Sequence, residues 1–172
     1  MKMLNKFFIA GLVATFSLSS FSQFNSAKIQ GKVLLTEEKH GVKRNYQFGG
    51  TINGYQTNCK KTTIIVWGTP NEVSTDSPQI GYIAVLKSGH RKILFRKITS
   101  KELIDANFSN DGRHVELLYT DRATFDLKTG KINYSSTLNE SREPSNEICK
   151  KEDWQHYSRW SLSTSNDSPK RN

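Results

Sequence analysis

The chain has little of what usually identifies an enzyme. Its two cysteines, Cys59 and Cys149, lie far apart, which excludes a Cys-x-x-Cys redox pair. Four histidines, His40, His90, His114 and His156, are scattered with no His-x-x-x-His or His-Glu-x-x-His element, so no metal site is expected. There is no Gly-x-Ser-x-Gly nucleophile elbow and no Gly-x-x-x-x-Gly-Lys-Ser/Thr phosphate loop, so no nucleotide or other cofactor is expected. Like charges never run five together, which argues against a charged binding tail. Beyond the first residues no apolar stretch is long enough to span a bilayer, a task that takes ~20 residues.

What is present begins with an address. Lys2 and Lys6 precede an apolar run from Phe7 to Phe16, and the small-residue exit Ser20-Phe21-Ser22 follows. Residues 1–22 thus read as a cleaved secretory leader, and the remaining chain as periplasmic or secreted. In an oxidising compartment Cys59 and Cys149 are expected to pair. The bond would close a loop of ~90 residues, worth about 4 kcal/mol in the chain-entropy account. Loss of Lys2 and Lys6 leaves 23 cations against 16 acids, a net charge of about +7. Such a balance favours acidic partners, whether proteins, anionic polymers or nucleic acid.

Strand chemistry dominates the rest. Thr62–Trp67 and Ile80–Leu86 are near-continuous β-branched and aromatic runs, as expected of central strands covered on both faces. Further strands are expected at Lys28–Leu35, Tyr46–Ile52, Lys92–Ile98, Val115–Thr120, Ala123–Leu127 and Lys131–Tyr134. Ser88-Gly89, Asp111-Gly112 and Thr129-Gly130 supply hairpin turns. Thr99-x-x-Glu102 has capping-box spacing and predicts one short helix near residues 100–106. Gly68–Pro78 and Asn139–Asn146 read as polar loops. The expected fold is mainly β, an antiparallel sandwich or partly open barrel of hairpins. It would fill a single domain over residues 23–162, followed by a disordered tail at 163–172.

Phe108-Ser-Asn-Asp-Gly-Arg-His-Val115 and Thr124-Phe-Asp-Leu-Lys-Thr-Gly-Lys131 together resemble strands of a β-propeller blade. The likeness covers about 24 residues, and the chain is too short to close a propeller, so no function follows from it.

Three groups could carry function. Arg113, His114 and Glu116 have the residue types of a small basic hydrolase, with a carboxylate base, a histidine acid and a cation for phosphate. Strand alternation puts His114 and Glu116 on one face and Arg113 on the other, which also suits the polar half of an ordinary strand. If residues 115–134 form a meander, Arg113, Lys128 and Lys131 meet as a basic rim. Trp154, Tyr157 and Trp160, with His156 and Arg159 between them, could stack a ligand, anchor a protein interface or close the sheet as an edge strand.

The reading these features favour is an exported, non-enzymatic binding protein, inhibitor-like or immunity-like, acting on an envelope enzyme or toxin. A secreted nuclease or glycan-cleaving hydrolase and a structural envelope or adhesin module are the alternatives.

Overall fold

The computed structural model describes residues 22–72, 80–109, 112–119, 122–134 and 155–159. Among the described residues there is no helix, and all sheets are antiparallel. A central sheet has the order β12 (His156–Ser158), β4 (Gly50–Thr57), β5 (Thr63–Pro70), β6 (Gly81–Lys87), β7 (Phe95–Thr99). One face carries a three-stranded sheet, β1 (Phe24–Gln30), β2 (Val33–Glu38), β3 (Lys43–Gln47). The other carries a four-stranded meander, β8 (Asp105–Phe108), β9 (His114–Leu118), β10 (Arg122–Asp126), β11 (Ile132–Tyr134). The architecture is an antiparallel β-sandwich of three layers without a closed barrel. The propeller-like stretch supplies β9 and β10 of the meander.

The two unbroken apolar runs explain the layering. Along β5 and β6 successive side chains point to opposite faces. Ile65, Trp67, Ile83 and Val85 join Ala106, Phe108, Val115, Leu117 and Phe125 of the meander in one core. Ile64, Val66, Tyr82, Ala84 and Leu86 join Phe24, Leu34, Tyr46 and Phe48 in the other. Each large side chain buried in this way contributes about 1.5–3 kcal/mol relative to exposure. The outer sheets, with one wet face each, alternate: β9 runs from half-buried His114 through Val115, exposed Glu116 and Leu117 to exposed Leu118.

Several expectations are corrected. The helix near 100–106 does not form. The Thr99 hydroxyl donates to the Lys101 carbonyl instead of capping an amide, and Glu102 accepts from Asn53 and Thr69 across the sheet. Residues 105–108 become β8, with Ala106 and Phe108 buried by alternation. The single strand expected at Lys28–Leu35 is a hairpin, because Gly31 takes a φ of 60° and turns the chain between β1 and β2. Tyr46–Ile52 is likewise divided at Gly49 into β3 and β4. The expected loop at Gly68–Pro78 begins later, since β5 runs through Pro70, and residues 73–79 lie outside the described residues. Outside them also lie 1–21 of the leader, Asn139–Asn146, Cys149, Trp154, Trp160 and the tail at 163–172. Among the described residues no helix is long and apolar enough to cross a membrane.

A bulge and a glycine fit β12 and the meander onto β4. Register slips between Ile52 and Gly54, and the bulged Asn53 sends its amide to Glu102 at 2.6 Å and Thr69 at 3.0 Å. At Gly54 a Cβ would stand 2.2 Å from Trp67 Cζ2 and 2.6 Å from the Tyr157 carbonyl oxygen. The indole therefore fills the space a side chain would need.

A buried ion pair ties the first described residues to two hairpins. Glu38, 4% exposed, accepts from Arg44 Nε at 2.8 Å, Ser22 Oγ at 2.6 Å and the Gly89 amide at 3.1 Å. The Ser88 hydroxyl donates to the Ser22 carbonyl, and the Lys39 amide to that of Gln23. Burial pushes the Glu38 carboxyl up, but the hydrogen bonds from Ser22, Arg44 and Gly89 and the charge of Arg44 outweigh it. The net pKa lies below the ordinary 4.5.

Two predictions arise from these contacts. Gly54→Ala is expected to cost about 3 kcal/mol in denaturant unfolding, because the indole and the β12 backbone must both move. A lowered carboxyl pKa stabilises the fold above the unfolded value of 4.5, and that contribution disappears as pH falls through the lower folded value. Thermal midpoints should therefore drop on acidification below about pH 4.5. Glu38→Gln should lose about 2 kcal/mol at neutral pH and show a flatter acid limb.

Candidate functional site

Antiparallel hairpins place alternate turns at the same end of a sheet, and here the turns of all three sheets converge. Around the β6–β7 turn, Ser88 N donates to Thr62 O at 2.9 Å and Tyr46 Oη donates to His90 O at 2.7 Å. Glu38 bonds Gly89 from the β2–β3 hairpin, and Phe24 N bonds Lys61 O of the β4–β5 turn at 2.6 Å. The meander joins the same end. Gly130 of the β10–β11 turn packs beside the Phe95 ring, Lys97 Nζ reaches the Gly130 carbonyl at 3.4 Å, and Leu127 N bonds Arg113 O at 3.0 Å.

Each of these turns is cationic. Lys39 and Lys43 flank the first, and Lys60 and Lys61 sit in the second. Lys87, Arg91 and Lys92 border the third, Arg113 lies between β8 and β9, and Lys128 and Lys131 lie between β10 and β11. All are exposed except half-buried Lys61. Among the described residues, the carboxylates at this end are engaged by neighbours. Glu38 is buried against Arg44, Glu37 stands opposite Lys43, and Asp126 Oδ1 accepts from the Lys128 and Thr129 amides at 2.8 and 2.7 Å. Glu72 and Glu102 lie towards the opposite end together with Lys32, Lys101 and Arg122, so among the described residues cations are in excess at the converging turns and balanced by acids at the other end.

Arg113 and Lys128 line one cleft at this end, and Lys131 lies in the same β10–β11 turn. Gly112, Arg113, His114, Asp126, Leu127 and Lys128 line an open cleft of about 660 Å³. The expected acid–base grouping is not assembled as such. His114 and Glu116 share the outer face of β9, but the register partner of His114 is Asp126, while Glu116 stands between Asn107 and Thr124. His114 Nε2 lies 3.8 Å from Asp126 Oδ2, an ion-pair distance that is too long for a hydrogen bond. Asp126 is held below the ordinary carboxylate range: the Thr129 amide lowers it most, against a smaller upward push from burial, and the Lys128 amide lowers it further. The same two amide bonds pin the β10–β11 turn. Asp126 was not among the sequence candidates, although its opposition to His114 follows once the two glycine turns are aligned.

The C-terminal aromatic group divides. Trp154 and Trp160 lie outside the described residues, while Tyr157 sits on β12, the edge strand of the central sheet. Its ring, with the residue 47% exposed, stacks on Tyr55 at 6.3 Å with planes 20° apart. Tyr55 is itself buried, and its hydroxyl donates to the Ala27 carbonyl at 2.7 Å. On the other face of β12, His156 Nε2 meets Asp105 Oδ1 at 2.8 Å and Ser158 Oγ donates to the Ile104 carbonyl at 2.9 Å. Gln56 continues this seam, donating to Asn107 at 3.3 Å and accepting the Phe108 amide at 3.1 Å. His156 and Asp105 therefore join the central sheet to the meander.

Cys59, in the β4–β5 turn, is not a free thiol. Among the described residues no three His, Cys, Asp or Glu side chains gather to hold a metal ion.

No protein-family model matches the chain, and no curated protein matches it. A solved structure similar to it is that of an uncharacterized protein from Listeria monocytogenes EGD-e, with a TM-score of 0.47 and 11% identity. The match covers 69% of this chain and 38% of that one, so this chain spans well under half of that protein.

Proposed function

We propose that the chain is an exported, non-enzymatic binding protein that recognises a protein of the cell envelope, inhibitor-like or immunity-like toward an enzyme or toxin. The observation that carries this reading is Tyr157, an exposed ring held in place before any partner arrives. Its support, Tyr55, is buried and hydrogen-bonded, so little side-chain freedom is lost on binding. Tyrosine and arginine dominate the energetics of protein interfaces, and Arg159, also exposed, lies two residues on. Trp154 and Trp160 flank the same strand in sequence. The register partner of His114 is Asp126, not Glu116, and no third acidic or histidine side chain joins them among the described residues, which favours binding over a hydrolase built on Arg113, His114 and Glu116.

Export through the leader at residues 1–22 implies oxidation, and a Cys59–Cys149 bond belongs to this proposal. The pairing of β12 with β4 favours it. Gln155 is bonded to Thr57, and the two cysteines lie six residues before the one and two after the other, within reach of the chain. Intact mass of the secreted protein should be two hydrogens below that of the reduced chain. An unchanged mass after reduction would remove the bond from the proposal.

Capture of an envelope protein by the oxidised, tag-free chain is expected at physiological salt, with Tyr157→Ala weakening it by about 2 kcal/mol, or roughly thirtyfold. Cleavage of RNA, DNA or cell-wall material that disappears in His114→Ala would overturn the reading in favour of the hydrolase.

A further inference from the structure

We propose that the cationic end of the sandwich is a docking surface for an anionic phospholipid bilayer. It rests on the residues of the turns and not on Tyr157, and goes beyond the protein-binding role.

Breadth and apolar content together select the partner. Packed sheets stand ~10 Å apart, so the turns of three layers span roughly 20 Å from the first to the third. One extended polymer strand contacts only part of such a face, whereas a membrane meets all of the turns at once. Two of the turns also display apolar side chains among the cations: Val42, 42% exposed, between β2 and β3, and Leu94, 46% exposed, just before β7. Interfacial docking combines attraction to anionic headgroups with shallow insertion of such groups. The aromatic residues at this end are turned inward: Tyr46 is buried under its bond to His90, and Phe95 packs edge-on against Phe125. Single-stranded nucleic acid binds chiefly by stacking its bases on exposed aromatic rings, and among the described residues this end exposes no Phe, Tyr or Trp ring, only the imidazoles of His40 and His90.

Glu38 and Asp126 are spent on internal partners, while Lys39, Lys43, Lys60, Lys92 and Lys128 are exposed. Lys92 and Lys128, on different layers, are exposed and have no ion pair among the described residues. A planar anionic surface would engage both together.

The test is flotation of the oxidised mature protein with vesicles of phosphatidylcholine alone or mixed with phosphatidylglycerol. Binding is expected only to the anionic vesicles, with release by salt. Lys92→Glu and Lys128→Glu should each weaken it by at least about fivefold. Leu94→Ser should weaken vesicle binding while leaving retention on a soluble DNA duplex unchanged, which separates lipid docking from simple polyanion capture. Failure to float with anionic vesicles would overturn the proposal. So would vesicle binding indifferent to Leu94→Ser and displaced by the duplex. Tyr157→Ala is expected to keep full vesicle affinity while losing the protein partner, so the two proposals fail separately. Unchanged circular dichroism confirms that each variant is folded.

Discussion

The rest of the structure depends on burying both faces of β5 and β6. A strand with two covered faces must be apolar at every position, and it obliges the chain to supply a layer above and a layer below. The three-stranded sheet and the meander are those layers. Their outward faces are free to be polar because the hydrophobic demand is met in the middle. Function then falls to the margins: the hairpin turns at the ends and the lateral edge at β12.

Tolerance is least where β4 meets β5 and β12. Gly54 lets the Trp67 ring lie against β4, and the Asn53 bulge draws Glu102 and Thr69 into a polar tie beside it. At Gly68 a Cβ would lie 1.9 Å from the Thr51 carbonyl oxygen, so the β4–β5 pair is compressed there as well. These contacts fix the position of β12, and through it the ring stack of Tyr157 on Tyr55.

Much of the fold was legible because its two strongest signals are local. Continuous apolar runs identified β5 and β6, and glycine turns identified the hairpins of the meander. Residues 99–106 misled because capping-box spacing is also what a bend needs when the hydroxyl and the carboxylate find other partners. The hairpins at Gly31 and Gly49 were hidden inside strand-like composition, where one glycine with positive φ outweighs its neighbours. That the turns carrying Arg113, Lys128 and Lys131 share one end could be read from alternation alone, since they lie within one meander. Continuation of this end to Lys39, Lys60 and Lys92 could not, because periodicity within a sheet says nothing of how separate sheets are stacked. For the same reason the His156–Asp105 pair, spanning two sheets, left no trace in spacing.

The pairing of β12 with β4 joins segments almost a hundred residues apart, as the bond between Thr57 and Gln155 shows. Ribosomes deliver roughly 5–20 residues per second, so β4 is made several seconds before its neighbour exists. For that interval one margin of the central sheet offers unpaired amides and carbonyls to any strand nearby. Among the described strands β12 is the last made and acts as a closing seam, so until it arrives newly made copies can pair with one another along that edge.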